Sequence, residues 1–352
     1  MMKNFSVNIS VVMATYNTEI PMLQEAVDSI LKQTFSDFEF LIIDDGSTNG
    51  SGEYLKSIQD ERVKVIWNSQ NMGVTKSLNV GLKQAKGKYI ARMDADDIAL
   101  PTRFEKEFAY MEAHPDVVAC GAKTIIMTGG KMILPKRTAK PEDMEAYRVR
   151  MLFMNPGPIH PTAMIRHETL LAHHILYDER LIHAQDYGMW ETLSHYGKIC
   201  TLDEALLCRR MHEKQVSVAR RDVQVQCDKM TQKKMLSALL GDVTDAEIDL
   251  HYRHGTGYYP DAVITPEVAA WFDRLIQANK ERRIYTQRKL KKRINFLKKT
   301  LISQALRPEM SFFQKAHIIF HYLPFFSWGG KSIRLLAGQL KHWGKIARGR
   351  DG

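Results

Sequence analysis

The sequence predicts an α/β protein with a mostly parallel sheet flanked by helices, followed by a helical, basic C-terminal extension. Apolar strands and amphipathic helices alternate strictly over the first 120 residues, a pattern that builds an open parallel sheet. Three polar stretches each follow a predicted strand directly: ATYNT at residues 14–18, DDGST at 44–48 and DADD at 94–97. They are therefore expected to meet at the carboxyl edge of that sheet. The extension is set apart by its charge: residues 277–352 carry 18 Lys/Arg against 3 Asp/Glu, whereas the whole chain has a net charge of +10.

The elements of the first 120 residues follow one another in strand–helix order. Residues 7–14 are a continuous apolar run, typical of a strand buried in a parallel sheet, and residues 20–33 have the apolar spacing of a helix. Further strands are predicted at residues 38–43, 62–67, 88–93 and 117–122. Further helices are predicted at residues 54–59, 71–86 and 101–113.

The remainder of the chain is first irregular and then helical. The pattern indicates a hairpin at residues 125–134, helices at 144–151 and 185–196, a loop entering a strand at 160–165, and a strand at 206–210. The longest predicted helices of the C-terminal part cover residues 218–240 and 266–303. We therefore expect one domain at residues 1–217, with halves at 1–120 and 121–217, and a helical region at 218–352.

The composition is that of a globular protein, with 44% hydrophobic and 26% charged residues among 352. No apolar window of about 18 residues occurs, and the N-terminal apolar run is too short for a secretory signal. We therefore expect neither a membrane span nor a signal peptide. The four cysteines form no metal-binding pattern, and free thiols suit a reducing compartment, so the composition predicts a cytoplasmic protein.

The acidic stretch at residues 94–97 indicates a metal site. Asp94, Asp96 and Asp97 follow a predicted strand almost together, and like charges that close are tolerated when a cation lies among them. Mg²⁺ and Mn²⁺ are the ions that prefer such oxygen ligands. Taken alone, the motif is explained equally well by a solvated acidic turn.

The polar stretches at residues 14–18 and 44–48 supply groups suited to binding a nucleotide. Asp44 or Asp45 would accept the N3–H of a uracil or bind the ribose, and the ring of Tyr16 would stack on the base. The acids at residues 94–97 would then hold the cation that bridges two phosphates. On the third predicted helix, Lys76 either lines this pocket or is a solvated surface charge.

The order of these motifs resembles that of glycosyltransferase family 2, whose members have the GT-A fold. The matching segments are VVMATYN at residues 11–17, QTF at 33–35, LIIDDGS at 41–47, NMG at 71–73 and DADD at 94–97. The resemblance covers residues 6–217 and leaves the C-terminal third uncovered. It implies an enzyme of GT-A fold that uses a nucleotide-sugar donor, most naturally a UDP-sugar.

The resemblance also implies roles for individual residues on the donor side. Tyr16 and Asp45 would hold the nucleobase, and Asp94 and Asp96 would form the DXD pair. Asp96 would contact the Mn²⁺ or Mg²⁺ ion, with Asp97 as a second ligand. The nucleotide-binding set as a whole is Thr15, Tyr16, Asn17, Asp44, Asp45, Asn71, Lys76 and Asp94. His212 resembles a position that reaches the diphosphate or the metal.

On the acceptor side, the resemblance implies that Asp186 is the general base and that His160 lies near the acceptor. The usual pattern has Glu before the catalytic Asp, and Gln185 departs from it. Direct displacement assisted by one base inverts the anomeric configuration. Without the resemblance, Asp186 is explained by helix capping, and a buried, hydrogen-bonded loop histidine explains His160 equally well.

The tail suggests a further partner. Residues 311–328 are rich in aromatic residues, and residues 330–347 have the spacing of a basic amphipathic helix. Such helices lie in the plane of an anionic leaflet, which places the protein at the inner face of the cell membrane, where a glycan or lipid-linked acceptor is found. The alternative is that the tail packs on the first domain or on a second copy of the chain, giving a homo-oligomer.

Three rival functions are weakened by the residues present. A nucleotidyltransferase requires a Gly-rich, basic phosphate loop after its first strand, and the segment ATYNTEIP has neither Gly nor Lys. A dinucleotide-dependent dehydrogenase requires GxGxxG, which is missing there. A nucleic-acid-binding protein would explain the basic tail, but clustered acids at the strand ends would repel phosphates, so no nucleic-acid partner is expected.

Overall fold

The computed structural model of the protein describes residues 5–134, 143–211 and 220–305. The chain forms two compact units. The first, called here the sheet unit, comprises Met1–Tyr147 and Asn155–Thr231, and the second, the helical unit, comprises Arg148–Met154 and Gln232–Gly352. The boundary at residue 217 between a catalytic domain and a C-terminal region stays a prediction.

All described strands belong to the sheet unit. They are β1 Val7–Thr15, β2 Phe38–Asp44, β3 Val63–Trp67, β4 Gly87–Asp94, β5 Ile98–Ala99, β6 Val117–Thr128, β7 Lys131–Ile133, β8 Met164–Arg166 and β9 Lys198–Arg210. The first seven helices are α1 Ile20–Leu31, α2 Ser51–Ser57, α3 Val74–Gln84, α4 Arg103–Ala113, α5 Met144–Met151, α6 His167–Ala172 and α7 Gln185–Leu193. A 3₁₀ turn at His160–Thr162 leads into β8, as predicted for the loop at residues 160–165.

The sheet has the strand order β3-β2-β1-β4-β8-β6-β9-β5, with β7 paired to β6. The four strands from β3 to β4 are parallel, which confirms the arrangement predicted from strand–helix alternation. Beyond β4 the sheet is mixed, because β8 runs antiparallel to both of its neighbours and β5 is antiparallel to β9. The alternation rule does not reach this half, because its strands are not joined by successive crossover helices.

Alternate residues of β1 separate the two faces of the sheet. Ile9, Val11 and Met13 are buried in the core that also contains residues of α1 and α4. On the other face α3 approaches very closely: a Cβ on Gly81 would lie 2.5 Å from Cγ1 of Val12. Helices therefore cover both faces, and the strand ends are left as the open edge where polar side chains gather.

The helical unit contains the C-terminal part of α8 Arg221–Leu240, from Gln232 onward, together with α9 Asp245–Gly255, α10 Pro266–Arg282 and α11 Gln287–Ala305. This confirms a helical C-terminal extension. The prediction of one continuous helix over residues 266–303 is wrong, because α10 ends at Arg282 and the next residue, Arg283, has a left-handed φ of 56°. Both side-chain groups of Asn279 bond the backbone of Tyr285, at 2.8 Å each, and so fix the turn. No Gly or Pro marks this break.

Among the described residues, no helix is both long and apolar enough to cross a bilayer. The tail predicted to associate with a membrane, at residues 311–347, lies outside the described residues.

Candidate active site

The three polar stretches meet at one edge of the sheet, as the sequence predicted. Thr15 at the end of β1 is in register with Asp44 at the end of β2, and Ala14 is in register with Asp94 at the end of β4. These three parallel strands are adjacent, so their carboxyl ends form a single cleft edge. Ligands of open α/β sheets bind at this position.

The loops after β1 and β2 are tied together by Asn17. Its backbone N–H donates to Oγ of Ser47 at 2.9 Å, and its Oδ1 accepts from the N–H of Thr48 at 2.7 Å. Asn17 adopts a left-handed φ of 49°, a conformation that Asn tolerates better than most residues. The neighbouring Tyr16 is 48% exposed, so part of its side chain is accessible to a ligand.

Asp44 and Asp45 are both buried but have different surroundings. Asp45 accepts three hydrogen bonds: from Nδ2 of Asn68 at 2.8 Å and from the N–H groups of Met72 at 2.9 Å and Gly73 at 2.8 Å. Asp44 accepts one, at 3.3 Å, from the N–H of Ser47, and its Oδ1 has no partner. A carboxylate offers about four acceptor sites, so Asp45 retains one and Asp44 several for a base or ribose.

Gly46 allows the loop after β2 to approach the loop after β3. Its φ is +76°, and a Cβ would lie 2.9 Å from the carbonyl carbon of Gln70. We expect Gly46→Ala to destabilise the protein by about 1–3 kcal/mol and to weaken nucleotide binding, because the loop held by Asp45 must move. Chemical denaturation and UDP titration measure the two effects.

Gly129 provides the matched control for that substitution. It also has a positive φ, of +52°, but a Cβ at this position would have no neighbouring atom within 4 Å. Gly129→Ala therefore reports backbone strain alone. Equal losses of stability and binding in the two variants would show that the approach to Gln70 has no special role.

The start of α3 places the remaining predicted nucleotide ligands. Asn71 and Lys76 are exposed, and Oδ1 of Asn71 accepts from the N–H of Gly73 at 3.0 Å. Asn79, one turn further on, is buried and bonds the backbone of Tyr177 through both of its amide groups. Asn79 thus fixes a distant segment, whereas Lys76, in the first turn of α3, is exposed and accessible to a phosphate.

The acid cluster has the donor set of a divalent-cation site. One ligand oxygen from each of Asp94, Asp96 and Asp97 lies within 4.8 Å of the others. Asp97 is 1% exposed, and its Oδ2 has no partner. Burial, followed by the charges of Asp94 and Asp96, raises the pKa of Asp97 to about 8. A buried carboxylate oxygen without a donor, repelled by two acids, fits a bound Mg²⁺ or Mn²⁺.

Arg92, two residues before the cluster, was not predicted from the sequence. It is buried, and its Nη2 lies 2.6 Å from Oδ1 of Asp94, while its Nε and Nη1 have no partner. The guanidinium of Arg92 therefore compensates the charge of Asp94 within the acid cluster. The available signal was an Arg inside an otherwise apolar strand, since a buried Arg requires a partner.

Gln33 gives the QTF segment a structural role. Its Nε2 donates to the carbonyl of Leu100 at 2.8 Å, and its Oε1 accepts from the N–H of Phe104 at 3.0 Å. The N–H of Thr34 donates to the carbonyl of Pro101 at 2.9 Å. The segment therefore anchors the turn that follows the acid cluster.

Asp186 lies in the first turn of α7, held by two donors. Nδ2 of Asn155 donates to its Oδ2 at 2.9 Å, and the N–H of Tyr187 donates to its Oδ1 at 2.8 Å. Burial raises the pKa of Asp186, and the positive charge of Arg92 opposes that rise. The N-cap is Ala184, so helix capping in the strict sense does not explain Asp186. Gln185 is the first residue of α7 and is half-buried.

His160 is a buried histidine with a partner. Its Nε2 lies 2.8 Å from the hydroxyl of Tyr177, and its ring packs edge-on to Trp190. Burial and then the charge of Arg92 hold the pKa of His160 well below its usual range, so the ring is neutral. These contacts support the structural alternative for His160. Trp190 is fully buried.

The predicted ligand His212 lies outside the described residues. Two residues earlier in the sequence, Arg210 at the end of β9 links this strand to the acid cluster. Its backbone N–H donates to Oδ1 of Asp97 at 3.0 Å, its Nε donates to the carbonyl of Asp96 at 2.7 Å, and its guanidinium pairs with Glu25.

The curled mixed sheet flanked by helices has a GT-A-like architecture. The family model described as "Glycosyl transferase family 2" matches residues 10–174. An uncharacterized glycosyltransferase of Haemophilus influenzae is 35% identical over 219 residues, which span 59% of this chain and 67% of that protein. The chain therefore belongs to glycosyltransferase family 2. The amylovoran biosynthesis glycosyltransferase AmsE of Erwinia amylovora is 31% identical over 210 residues, covering 56% of this chain and 74% of AmsE.

Solved structures share the fold at low sequence identity. TarS 1–349 of S. aureus in complex with UDP-GlcNAc aligns with a TM-score of 0.55 and 21% identity, covering 84% of this chain and 89% of that one. The mannosyltransferase PcManGT of Pyrobaculum calidifontis in complex with GDP-Man and Mn²⁺ aligns with a TM-score of 0.52 and 16% identity, covering 96% and 90%. At these sequence identities, both alignments are evidence for a shared fold alone.

Proposed function

We propose that the protein is a metal-dependent, inverting glycosyltransferase that moves a sugar from a UDP-sugar to a hydroxyl of a glycan or glycolipid. The observation that supports this most is the acid cluster at the sheet edge, where the buried Oδ2 of Asp97 has no partner. Family membership already disfavours the nucleotidyltransferase and dehydrogenase alternatives.

The donor would bind along the carboxyl ends of β1, β2 and β4. Tyr16 stacks on the base, Asp44 and Asp45 accept from its N–H or from the ribose, and Lys76 meets the diphosphate. Thr15, Asn17 and Asn71 shape the loops around it. Complexes of TarS with UDP-GlcNAc and of PcManGT with GDP-Man support a nucleotide-sugar of this kind.

Asp96 and Asp97 would hold a Mn²⁺ or Mg²⁺ ion, with His212 as a further ligand. The Mn²⁺ in the PcManGT complex supports the choice of a divalent cation. When bound, the ion supplies positive charge that stabilises the leaving nucleoside diphosphate. Asp94, paired with Arg92, keeps its second oxygen for a hydroxyl of the donor.

Asp186 would accept the proton of the attacking hydroxyl. Asn155 holds its Oδ2, and the N–H of Tyr187 holds its Oδ1, so the carboxylate has a fixed orientation. A carboxylate with a raised pKa is a stronger base than an ordinary Asp, which suits proton transfer near neutral pH. Gln185 and the His160 turn would border the acceptor.

We expect inversion of the anomeric configuration, because one base on the acceptor side serves a single direct displacement. The proton coupling constant of the anomeric proton in the isolated product, compared with that of the donor, measures the outcome. A product with the donor's own configuration would contradict the single-displacement mechanism and leave the donor site untouched.

For the acceptor, we propose a cell-surface polysaccharide or glycolipid intermediate, met at the cytoplasmic face of the membrane. AmsE, named for amylovoran biosynthesis, supports a polysaccharide role. The basic character of residues 277–352 supports an anionic membrane surface as a peripheral partner. Self-association through the C-terminal helices is the alternative use of the same region.

A further inference from the structure

Helix α11 in the helical unit carries a basic face that the proposed chemistry does not use. Its 19 residues include seven Lys/Arg and no Asp/Glu. Leu290, Ile294, Leu297 and Leu301 are buried on one side of the helix. The exposed side carries three basic residues that are called here the α11 basic face: Arg288, Lys291 and Lys292.

The charges on this face are not balanced within the helix. Arg288 lies three residues before Lys291 and four before Lys292, spacings at which like charges repel on a helix. Within the described part of the chain, no carboxylate pairs with Arg288, Lys291 or Lys292. Lys298, by contrast, is buried and donates to Asp273 at 2.8 Å. A solvated surface helix ordinarily mixes both signs of charge, so this face is suited to an anionic partner.

Phe296 narrows the choice of partner. It is 57% exposed, lies one turn after Lys292 and one turn before Lys299, and its ring is covered on one side by the guanidinium of Arg293 at 5.4 Å. An exposed aromatic ring beside lysines is the pattern of a helix lying at the headgroup level of a membrane. A partner recognised by charge alone gives no reason to expose this ring.

The sequence that follows α11 has a net charge of the same sign as this face. Residues 306–352 contain eight Lys/Arg and two Asp/Glu, so this segment is itself basic. A segment of the same sign would add to the repulsion if it lay on the α11 basic face. The sign of its charge instead suits the same anionic surface.

We propose that the α11 basic face and Phe296 form a docking surface for an anionic phospholipid bilayer. The lysines and Arg288 meet the phosphate headgroups, and Phe296 enters the boundary between headgroups and acyl chains. The proposal rests on the proposed function in one respect: binding to a bilayer gives the enzyme access to a lipid-linked acceptor. It specifies a surface within the described residues, separate from the predicted tail.

Sedimentation of the full chain with sucrose-loaded vesicles tests this. Vesicles of phosphatidylglycerol and phosphatidylcholine are compared with vesicles of phosphatidylcholine alone. We expect binding to the anionic vesicles only, and weaker binding at high salt. The double variant Lys291→Glu/Lys292→Glu should lose roughly 25-fold or more in partitioning, since each basic side chain near an anionic leaflet contributes about fivefold. Phe296→Ser should lose about fivefold.

Two matched controls carry equal changes elsewhere. Lys83→Glu/Lys86→Glu makes the same charge change at exposed positions of the sheet unit, and Tyr258→Ser removes another exposed ring. Both should partition like the unmodified chain, and all variants should keep the same UDP affinity and circular dichroism. Failure of UDP binding in every variant would contradict the proposed function and leave the docking surface standing.

Three outcomes would overturn the docking surface. One is equal partitioning of the α11 variants and the unmodified chain. Another is binding to a single-stranded RNA 20-mer, lost in the α11 variants, without binding to anionic vesicles. The last is self-association lost in those variants, again without vesicle binding.

Discussion

Replacing the proposed base should slow transfer greatly while leaving donor binding intact. We expect Asp186→Asn to lower kcat by about a hundredfold to ten-thousandfold, the usual contribution of general-base catalysis. Asn keeps the size of the side chain and an acceptor oxygen for the N–H of Tyr187, so α7 should still form. UDP affinity should stay close to that of the unmodified protein, because the donor residues lie on β1, β2 and β4. Single-turnover transfer and UDP titration measure the two effects.

The pH dependence gives an independent check on the same residue. The base must be ionised, so kcat should fall as pH drops through the pKa of Asp186, which burial raises above the usual Asp range. Glu191→Gln removes a carboxylate from the same helix, where it pairs with His195 at 3.1 Å, and should leave kcat unchanged. Normal transfer by Asp186→Asn, or an equal loss in Glu191→Gln, would remove Asp186 from the base role.

The second large effect concerns Asp97, where loss of function should coincide with a gain in stability. We expect Asp97→Asn to abolish tight Mn²⁺ binding, because the neutral amide replaces a charged ligand. Asn retains an oxygen to accept the N–H of Arg210, so the turn is preserved. Without metal, the variant should be more stable than the unmodified protein, since a buried acid repelled by two others is removed.

The size of that stability change depends on pH. The pKa of Asp97 is about 8 in the folded protein against 3.8 for the free group, so the folded state holds its proton where the unfolded state has lost it. The stability of the metal-free protein therefore falls as pH rises from about 4 to 8, and the variant should escape this fall. Urea denaturation at several pH values, in EDTA, measures it.

Asp116→Asn serves as the control for charge removal. Asp116 is exposed and pairs with Lys198, which lowers the pKa of this carboxyl. Its replacement should leave Mn²⁺ binding unchanged and should not stabilise the protein. Undiminished Mn²⁺ binding in Asp97→Asn would exclude Asp97 as a ligand, whatever its effect on stability.

Much of the site was predictable because its positions are set by local sequence. A strand that ends in polar residues reveals its own carboxyl end, so Thr15, Asp44 and Asp94 could be placed together from alternation alone. The helix break at Arg283 was not predictable in this way, because it depends on the Asn279 side chain bonding Tyr285 in the turn beyond the helix.

The contacts that give neighbouring acids different roles could not be predicted from the sequence. Asp44 and Asp45 look equivalent as letters, and only the loop at Asn68–Gly73 shows that Asp45 is largely engaged and Asp44 is not. Likewise, the pairing of Arg92 with Asp94 distinguishes that acid from its neighbours. Such differences arise from burial and long-range hydrogen bonds, which no periodicity encodes.

Calorimetric titration of the full chain with UDP, in Mn²⁺ and in EDTA, tests the central claim most directly. GDP and CMP are titrated in the same way for comparison, and the Asp96→Ala variant tests the metal site. We predict UDP binding in Mn²⁺ that is lost in EDTA and lost in Asp96→Ala. UDP binding of equal strength in EDTA, or no binding of any of the three nucleotides in Mn²⁺, would contradict a metal-dependent donor site at the ends of β1, β2 and β4.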